Sequence, residues 1–131
     1  MTPSTESPDL VAVWRELMSS HARVSEALER ELQRRHELSL SEFEVLQRLA
    51  ESDDGKRRMQ ELADDIHLSQ SALSRLVGRL EDEELATRAI CNHDRRGIWA
   101  CITPAGRAAQ RKAEITHRQV LAGMLGPQSG R

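Results

Sequence analysis

Hydrophobic residues recur with the period of an α-helix along most of this 131-residue chain. The first such stretch includes Leu10, Trp14 and Leu17, and it predicts one long helix over residues 9–36. Residues 1–8 are polar and contain two prolines, so we expect a flexible tail ahead of that helix. The pattern therefore indicates a mainly helical protein.

The middle of the chain predicts two helices joined by a tight turn. Ser39 and Glu42 have the spacing of a capping box, which starts a helix by satisfying free backbone N–H groups. A short helix follows at residues 60–66, and Ser69 is a good N-cap for a longer helix over residues 70–83. The last two helices and their turn form a helix-turn-helix.

After residue 85 the period changes from helix to strand. β-branched and aromatic residues stand on both sides of a polar loop, which predicts a β-hairpin, here called the wing, over residues 86–103. Thr103 and Pro104 then start a final helix, because threonine caps helices and proline suits their first position. We assign the C-terminal segment to residues 104–131 and expect its helix to fade at Gly126 and Pro127.

Composition excludes several classes of protein. The chain is 38% hydrophobic but 2% aromatic, so its core must be aliphatic. No stretch reaches the roughly 20 apolar residues of a membrane helix, and the N-terminus has no secretory signal. Two cysteines do not make a disulfide scaffold, which indicates the reducing cytoplasm. A net charge of −2 argues against a protein that holds DNA by bulk charge.

The small net charge conceals an asymmetry along the chain. Residues 1–85 carry 11 basic and 19 acidic side chains, whereas residues 86–131 carry 8 basic and 2 acidic ones. A basic segment with few acids is where an anionic partner would be sought first. A solvated basic helix explains the same charge equally well, so charge alone leaves both interpretations open.

The face of the 70–83 helix opposite its leucines has the side chains of a DNA-reading surface. Arginine pairs with guanine, glutamine with adenine, and serine with a base or the backbone. Gly78 would let the helix approach a groove closely. An ordinary solvated helix more often carries Glu/Lys pairs, so we interpret this face as a DNA contact made by Ser69, Gln70, Ser71, Ser74, Arg75 and Arg79.

The polar loop of the wing is a second candidate contact. Arg95 and Arg96 stand beside Asp94, and Gly97 permits the turn. An arginine-tipped ribbon suits the minor groove, where the negative potential is enhanced, and Asp94 would orient a neighbouring arginine. The alternative is a plain polar turn with a weak ion pair, which the preceding helix-turn-helix makes less favoured.

Residues 38–106 resemble the winged-helix core of the MarR family of bacterial transcriptional regulators. The matching segments are spread over this core: Ser39–Leu49, Leu62-Ala63, Leu68–Ser71, Leu73–Val77, Leu80-Glu81, Asp94–Gly97 and Ile102-Thr103. The hairpin, with Cys91 just before its loop, is most similar to the SlyA branch. The resemblance implies a homodimer that binds a pseudo-palindromic operator in double-stranded DNA. It also implies that a small-molecule effector or oxidation releases the DNA.

Carried over by position, the resemblance assigns the candidate residues to two grooves. The six side chains of the 70–83 helix would contact the major groove, the two wing arginines would contact the minor groove, and Asp94 would hold a wing arginine. The sequence departs from the family at His67 and Glu84, where glycine is usual. The flanking helices would dimerise, although the last looks truncated. A degenerate interaction module that pairs with a full-length relative is therefore the alternative function.

Other signals are weaker. Cys91 and Cys101 both lie in the hairpin, where they would pair, sense oxidation or fill space as small strand residues. We expect no metal site, since the paired ligand spacing of zinc sites is missing. His21, His36 and His117 would line an effector pocket or lie partly exposed on their helices. We find no enzyme motif and no cofactor motif, so we expect neither catalysis nor a cofactor.

Overall fold

The computed structural model describes residues 7–90 and 97–127, which form five α-helices and three short strands. Their bounds are α1 Leu10–His36, α2 Leu40–Glu51, β1 Lys56–Arg58, α3 Met59–Ile66, α4 Gln70–Asp82, β2 Ala86–Ile90, β3 Ile98–Ile102 and α5 Pro104–Leu125. A single 3-10 turn, Asp53–Gly55, links α2 to β1. The mainly helical fold with a small sheet is thus as predicted.

Side-chain caps set the starts of four helices. The Asp9 carboxylate accepts hydrogen bonds from first-turn amides of α1. Ser39 and Glu42 form the predicted capping box of α2, with N–O distances of 3.0 and 2.8 Å. Ser69 caps α4 and Thr103 caps α5, each by accepting a hydrogen bond from an amide three residues on. The caps predicted from the sequence are confirmed.

The sheet has three antiparallel strands in the order β1-β3-β2, one more than the predicted hairpin. The hairpin of β2 and β3 is confirmed, with Ala86 opposite Ile102. The sequence pattern does not predict β1, because its three residues are all charged and show no apolar alternation. Two of them, Lys56 and Arg58, lie over the Trp99 ring of β3, 5.6 and 5.2 Å from its centroid.

The core is aliphatic, as the composition requires, and it centres on α2. Phe43 is the largest of its fully buried side chains. Around it lie buried residues from all five helices and the sheet: Leu28, Leu32, Leu46, Leu49, Leu62, Leu73, Leu76, Val77, Leu80, Ala100 and Ala113. The four apolar residues of α4 belong to this core, which fixes the face that α4 turns to solvent.

Two turn residues adopt the left-handed backbone conformation that favours glycine. His67 ends α3 with a φ of 61°, and Glu84 follows α4 with a φ of 64°. These are the two positions at which the sequence lacks the glycine usual in the MarR family. The backbone therefore keeps the turn that glycine would form, even though a Cβ is present.

The two long helices are covered to different extents. The C-terminal half of α1 packs on α5 and α2 and buries Ala27, Leu28 and Leu32. In its N-terminal half, Trp14 is 58% exposed and Leu17 is 61% exposed. Among the described residues, no helix is long and apolar enough to span a membrane.

Candidate nucleic-acid interface

Helix α4 leaves open the face opposite the core. Gln70, Ser71 and Arg75 are exposed on this face. Within the described residues, the side chains of Gln70 and Arg75 make no hydrogen bond or ion pair. An amide and a guanidinium are therefore available to a partner from the first two turns of the helix.

The start of α4 adds backbone donors to this open face. Ser69 Oγ accepts a hydrogen bond from the Ala72 amide at 3.1 Å and lies 3.4 Å from Ser71 Oγ. The amides of Gln70 and Ser71 belong to the first turn, where no earlier carbonyl is available to them. Such N–H groups and the helix dipole attract an anion, so Ser69 caps a helix end that suits a phosphate.

Arg88 of β2 packs against α4 at Ser74 and Gly78. Arg88 Nη1 donates to Ser74 Oγ at 3.0 Å. A Cβ added to Gly78 would lie 3.2 Å from Arg88 Nη2, so the missing side chain makes room for this guanidinium. The sequence does not suggest this role for Gly78, and Ser74 presents a hydroxyl that is already in use.

Arg79 lies on the other flank of the open face, toward α2. Its Nε is 3.7 Å from Glu42 Oε2, while 58% of its side chain is exposed. Glu42 is buried and belongs to the capping box of α2, so the pair links the two helices. Ion pairs with an exposed partner are weak, which leaves the guanidinium able to turn toward an anion.

Strand β3 of the wing begins beside the N-terminal end of α4. Four of the predicted residues lie outside the described residues: Cys91, Asp94, Arg95 and Arg96. The strand that follows them is described, and Gly97 and Ile98 line a cleft of about 570 Å³ whose lining also includes Gln70 and Ser71. The start of β3 and the first turn of α4 therefore face the same cleft.

The remaining cysteine, Cys101, is a free and partly exposed thiol in β3. Its backbone lies between Lys56 of β1 and Thr87 of β2. Across residues 7–90 and 97–127, no three His, Cys, Asp or Glu side chains cluster as metal ligands would.

The three candidate pocket histidines have separate neighbours. His21 is exposed on α1. His36 Nε2 lies 2.7 Å from Thr116 Oγ1 of α5, and the His117 ring stacks on Phe43 at a centroid distance of 4.6 Å. Burial lowers the pKa of both His36 and His117 below the ordinary value of histidine. These two rings are packing contacts between helices.

Comparison with known families and structures identifies this arrangement. The model of the MarR family matches residues 38–98. AbsC, a MarR family transcriptional regulator from Streptomyces coelicolor, is 30% identical and superposes with a TM-score of 0.81. That alignment covers 92% of this chain and 81% of AbsC. This chain belongs to the MarR family.

Two further structures are similar to this MarR-family chain. Sco3205, a MarR family transcriptional regulator from Streptomyces coelicolor solved in complex with DNA, is 31% identical with a TM-score of 0.81, over 87% of this chain and 71% of Sco3205. CouR from Rhodococcus jostii RHA1, solved with p-coumaroyl-CoA, shares the fold at 22% identity, a TM-score of 0.79 and coverage of 88% and 80%. No curated protein sequence matches.

The family model and these similar structures together make the protein a MarR-type winged-helix transcriptional regulator. Helices α3 and α4 form its helix-turn-helix.

Arg88 is the residue of this MarR-type site that the sequence analysis does not single out. It is the one charged residue of β2, and its neighbours in that strand are Ala, Thr and Ile. A lone arginine in such a strand, seven residues after Glu81, is the signal that could have drawn attention to it.

Proposed function

We propose that this protein is a homodimeric repressor that binds a pseudo-palindromic operator in double-stranded DNA. The open face of α4 carries the proposal, because Gln70, Ser71 and Arg75 are exposed at the end of the helix that lies beside the wing. The complex of Sco3205 with DNA supports it from a relative at 31% identity.

Helix α4 would read bases in the major groove. Arg75 suits a bidentate contact with guanine, Gln70 suits adenine, and Ser71 suits a base or a phosphate. The first-turn amides would hold a phosphate and fix the depth of the helix in the groove. Ser74 and Arg79 flank this face: Arg79 would join it by exchanging Glu42 for DNA, whereas Ser74 would donate its hydroxyl hydrogen to DNA while still accepting from Arg88.

The wing would reach the neighbouring minor groove. The resemblance to the MarR family assigns Arg95 and Arg96 to this contact, with Asp94 orienting one of them. Arginine binds strongly in a narrow minor groove because the negative potential is concentrated there. The position of Gly97 and Ile98 across a cleft from the first turn of α4 supports simultaneous contact with two grooves.

The exposed apolar side chains of α1 support a homodimer. Leu10, Trp14 and Leu17 follow one another at spacings of four and three residues, and the buried Leu28, eleven residues further on, lies on the same side of the helix. Helices with this pattern pack in pairs along the apolar seam. A second copy offers the same seam, so a two-fold interface would cover both, and the exposed Met124 of α5 would extend it.

A small ligand or oxidation would release the DNA. CouR, which shares this fold, was solved with p-coumaroyl-CoA, and this supports a small-molecule effector. Cys101 is free and partly exposed, which supports access of an oxidant. If oxidation is the signal, replacing Cys91 and Cys101 with serine should abolish a peroxide response. Membership of the SlyA branch and a cytoplasmic location stay predictions.

Footprinting of the DNA beside the protein's own gene tests the proposal. We expect two symmetric protected half-sites about one helical turn apart. Arg75→Ala and Arg96→Ala should each weaken operator binding by about 1–3 kcal/mol without unfolding the protein, because each removes a groove contact. Fluorescence anisotropy with a labelled operator measures the affinity, and circular dichroism checks the fold.

Arg118→Ala is the matched control for these variants. Arg118 is 77% exposed on α5, where it pairs with Glu114 at 2.6 Å, away from α4 and the wing. Its removal should change operator affinity by less than about twofold. Unchanged binding in both the Arg75 and the Arg96 variants would contradict the site. A monomer that shifts no promoter DNA would favour the interaction module instead.

A further inference from the structure

Arg88 joins the wing to α4 through several hydrogen bonds, to Ser74 in the first half of the helix and to Glu81 in its last turn. Its Nη1 and Nη2 donate to the hydroxyl and the carbonyl oxygen of Ser74, at 3.0 and 2.5 Å. Its Nε donates to Glu81 Oε1 at 3.1 Å, and its backbone amide donates to Glu81 Oε2 at the same distance. One carboxylate thus binds both the side chain and the backbone of a wing residue.

The surroundings of Arg88 favour this geometry. Only 29% of its side chain is exposed, and 36% of that of Glu81, so the pair is partly shielded from water and salt. The absence of a side chain at Gly78 leaves the space in which the guanidinium meets the helix backbone. Charge-assisted hydrogen bonds of this kind are directional, so they fix an angle as well as a distance.

We propose that Arg88 is a positioning residue that sets the orientation of the wing relative to α4, and this rests on the proposed binding of DNA. β2 runs from the Arg88 contact to Ile90, and the predicted minor-groove residues Arg95 and Arg96 follow a few positions later in the sequence. Ser74 lies one turn beyond Ser71 and beside Arg75 on the DNA-reading helix. Helix α4 and the wing can contact two different grooves at the same time only if the angle between them is fixed. The hydrogen bonds of Arg88 fix that angle.

Arg88 acts inside the protein rather than on a phosphate. Its charge is paired with Glu81, and Nε and both Nη atoms already donate to α4. Removal of a phosphate contact would lower the slope of log affinity against log salt by about one. Removal of a contact that positions the wing would weaken DNA binding only in a protein whose wing still carries the arginines that contact DNA.

Glu81→Gln is the sharpest test, because simple electrostatics and a positioning role predict opposite changes in operator affinity. Loss of an acid near DNA would tighten binding if only charge mattered. Glutamine offers one acceptor where Arg88 needs two, so positioning predicts about tenfold weaker operator binding. Asp82→Asn is the matched control, since it removes the same charge from the next, exposed residue of α4. It should leave affinity unchanged or slightly tighter.

The experiment combines Glu81→Gln and Arg88→Gln with a wing that lacks its arginines, Arg95→Ala/Arg96→Ala. Anisotropy titrations over a range of salt should show about a tenfold loss in the wild-type background and less than about twofold in the background without wing arginines. Equal losses in both backgrounds, or tighter binding by Glu81→Gln, would overturn the proposal.

Two readouts separate this result from other failures. If the wild-type protein binds no operator, it is the proposed function that fails, and the variants are not needed to show it. If Arg88→Gln does not fold by circular dichroism, Glu81→Gln and Gly78→Ala decide the matter. Alanine favours the helix more than glycine does, but its Cβ crowds Arg88 at 3.2 Å, so Gly78→Ala should weaken binding while the protein stays folded.

Discussion

His67 and Glu84 hold backbone conformations that a side chain disfavours. Left-handed φ angles of 61° and 64° bring Cβ close to a carbonyl oxygen, which costs roughly 1–2 kcal/mol in an L-residue. At His67 the strain is offset locally, because its own amide and that of Leu68 both donate to the Ala63 carbonyl. These bonds end α3 and direct the chain into α4.

We expect His67→Gly to stabilise the fold by about 0.5–1 kcal/mol. Glycine removes the strain, although the greater freedom of the unfolded chain offsets part of the gain. His67→Ala is the control, since it removes the ring but keeps the Cβ, and it should be no more stable than the wild type. Equilibrium unfolding in urea measures both variants. Equal stability of the two would show that the turn is not strained.

Individual residues are predictable where a local rule governs them. The caps at Ser39, Ser69 and Thr103 follow from the sequence, because each side chain binds an amide three residues away. The contact between Arg88 and Ser74 does not, because 14 positions separate the two residues and only the fold brings them together. The exposed part of the α4 face could thus be predicted from the sequence, whereas the contact of Ser74 with Arg88 at its flank could not.

At the scale of elements, α5 begins in very close contact with the base of the wing. A Cβ on Gly106 would lie 2.1 Å from the Leu85 carbonyl oxygen and 2.9 Å from Ile102 Cγ1. Thr103 reinforces the junction, since its hydroxyl donates to the Glu84 carbonyl at 2.7 Å. The start of α5, the end of β3 and the turn after α4 therefore form one tightly packed joint.

Gly106→Ala should destabilise the protein by about 1–3 kcal/mol, because the added methyl group meets backbone that cannot move aside easily. Gly123→Ala in the same helix provides a control of opposite sign. Apart from the neighbouring residues of its own helix, no described atom lies within 4 Å of a Cβ at that position, so alanine should stabilise α5 by up to about 1 kcal/mol. Thermal unfolding followed by circular dichroism compares the two. A loss of stability in both would assign the effect to α5 in general.

The packing of α5 on α1 and α2 should also respond to pH. Burial lowers the pKa of His36 and His117 in the folded protein. As the pH falls, the unfolded chain therefore binds protons first, and stability declines as the pH drops through the ordinary histidine value of about 6.5 toward the folded pKa. We expect a smaller free energy of unfolding at about pH 5.5 than at about pH 7.5.

The double variant His36→Gln/His117→Phe isolates this effect. Glutamine keeps a polar partner for Thr116, and phenylalanine keeps a ring on Phe43, but neither titrates. The pH dependence of urea unfolding should be flatter in the variant than in the wild type over the same interval. Parallel curves would assign the dependence to carboxyl groups.

Strand β1 shows why one element could not be predicted. The helices and the hairpin follow from local periods of hydrophobic residues, whereas the partners of β1 are distant. Lys56 and Arg58 lie on Trp99, and Arg57 donates to the Asp65 carboxylate of α3. That hydrogen bond holds the pKa of Asp65 below its usual range. A strand that is held by contacts with distant residues shows no alternation of apolar and polar residues by which the sequence could predict it.

At the scale of the whole molecule, internal pairing explains how a protein with a net charge of −2 can bind DNA. Several acids of the N-terminal part bind arginines of the same part, as Glu31 binds Arg34 and Arg35. Arg75 has no such partner among the described residues. The charge that matters for DNA is thus local, and a modest net charge is compatible with the proposed release of an operator.

The apolar seam of α1 leads to a last prediction, that Leu17→Glu converts the protein to a monomer and abolishes operator binding. Leu17 is 61% exposed in the isolated chain, so glutamate there costs the monomer little but would bury a charge in a two-fold interface. Ala12→Glu is the control, since it adds the same charge on the opposite side of α1 and should leave a dimer. Light scattering gives the mass and anisotropy the affinity. A dimeric Leu17→Glu variant would place the interface elsewhere, and a monomer with full affinity would show that one copy suffices to bind the operator.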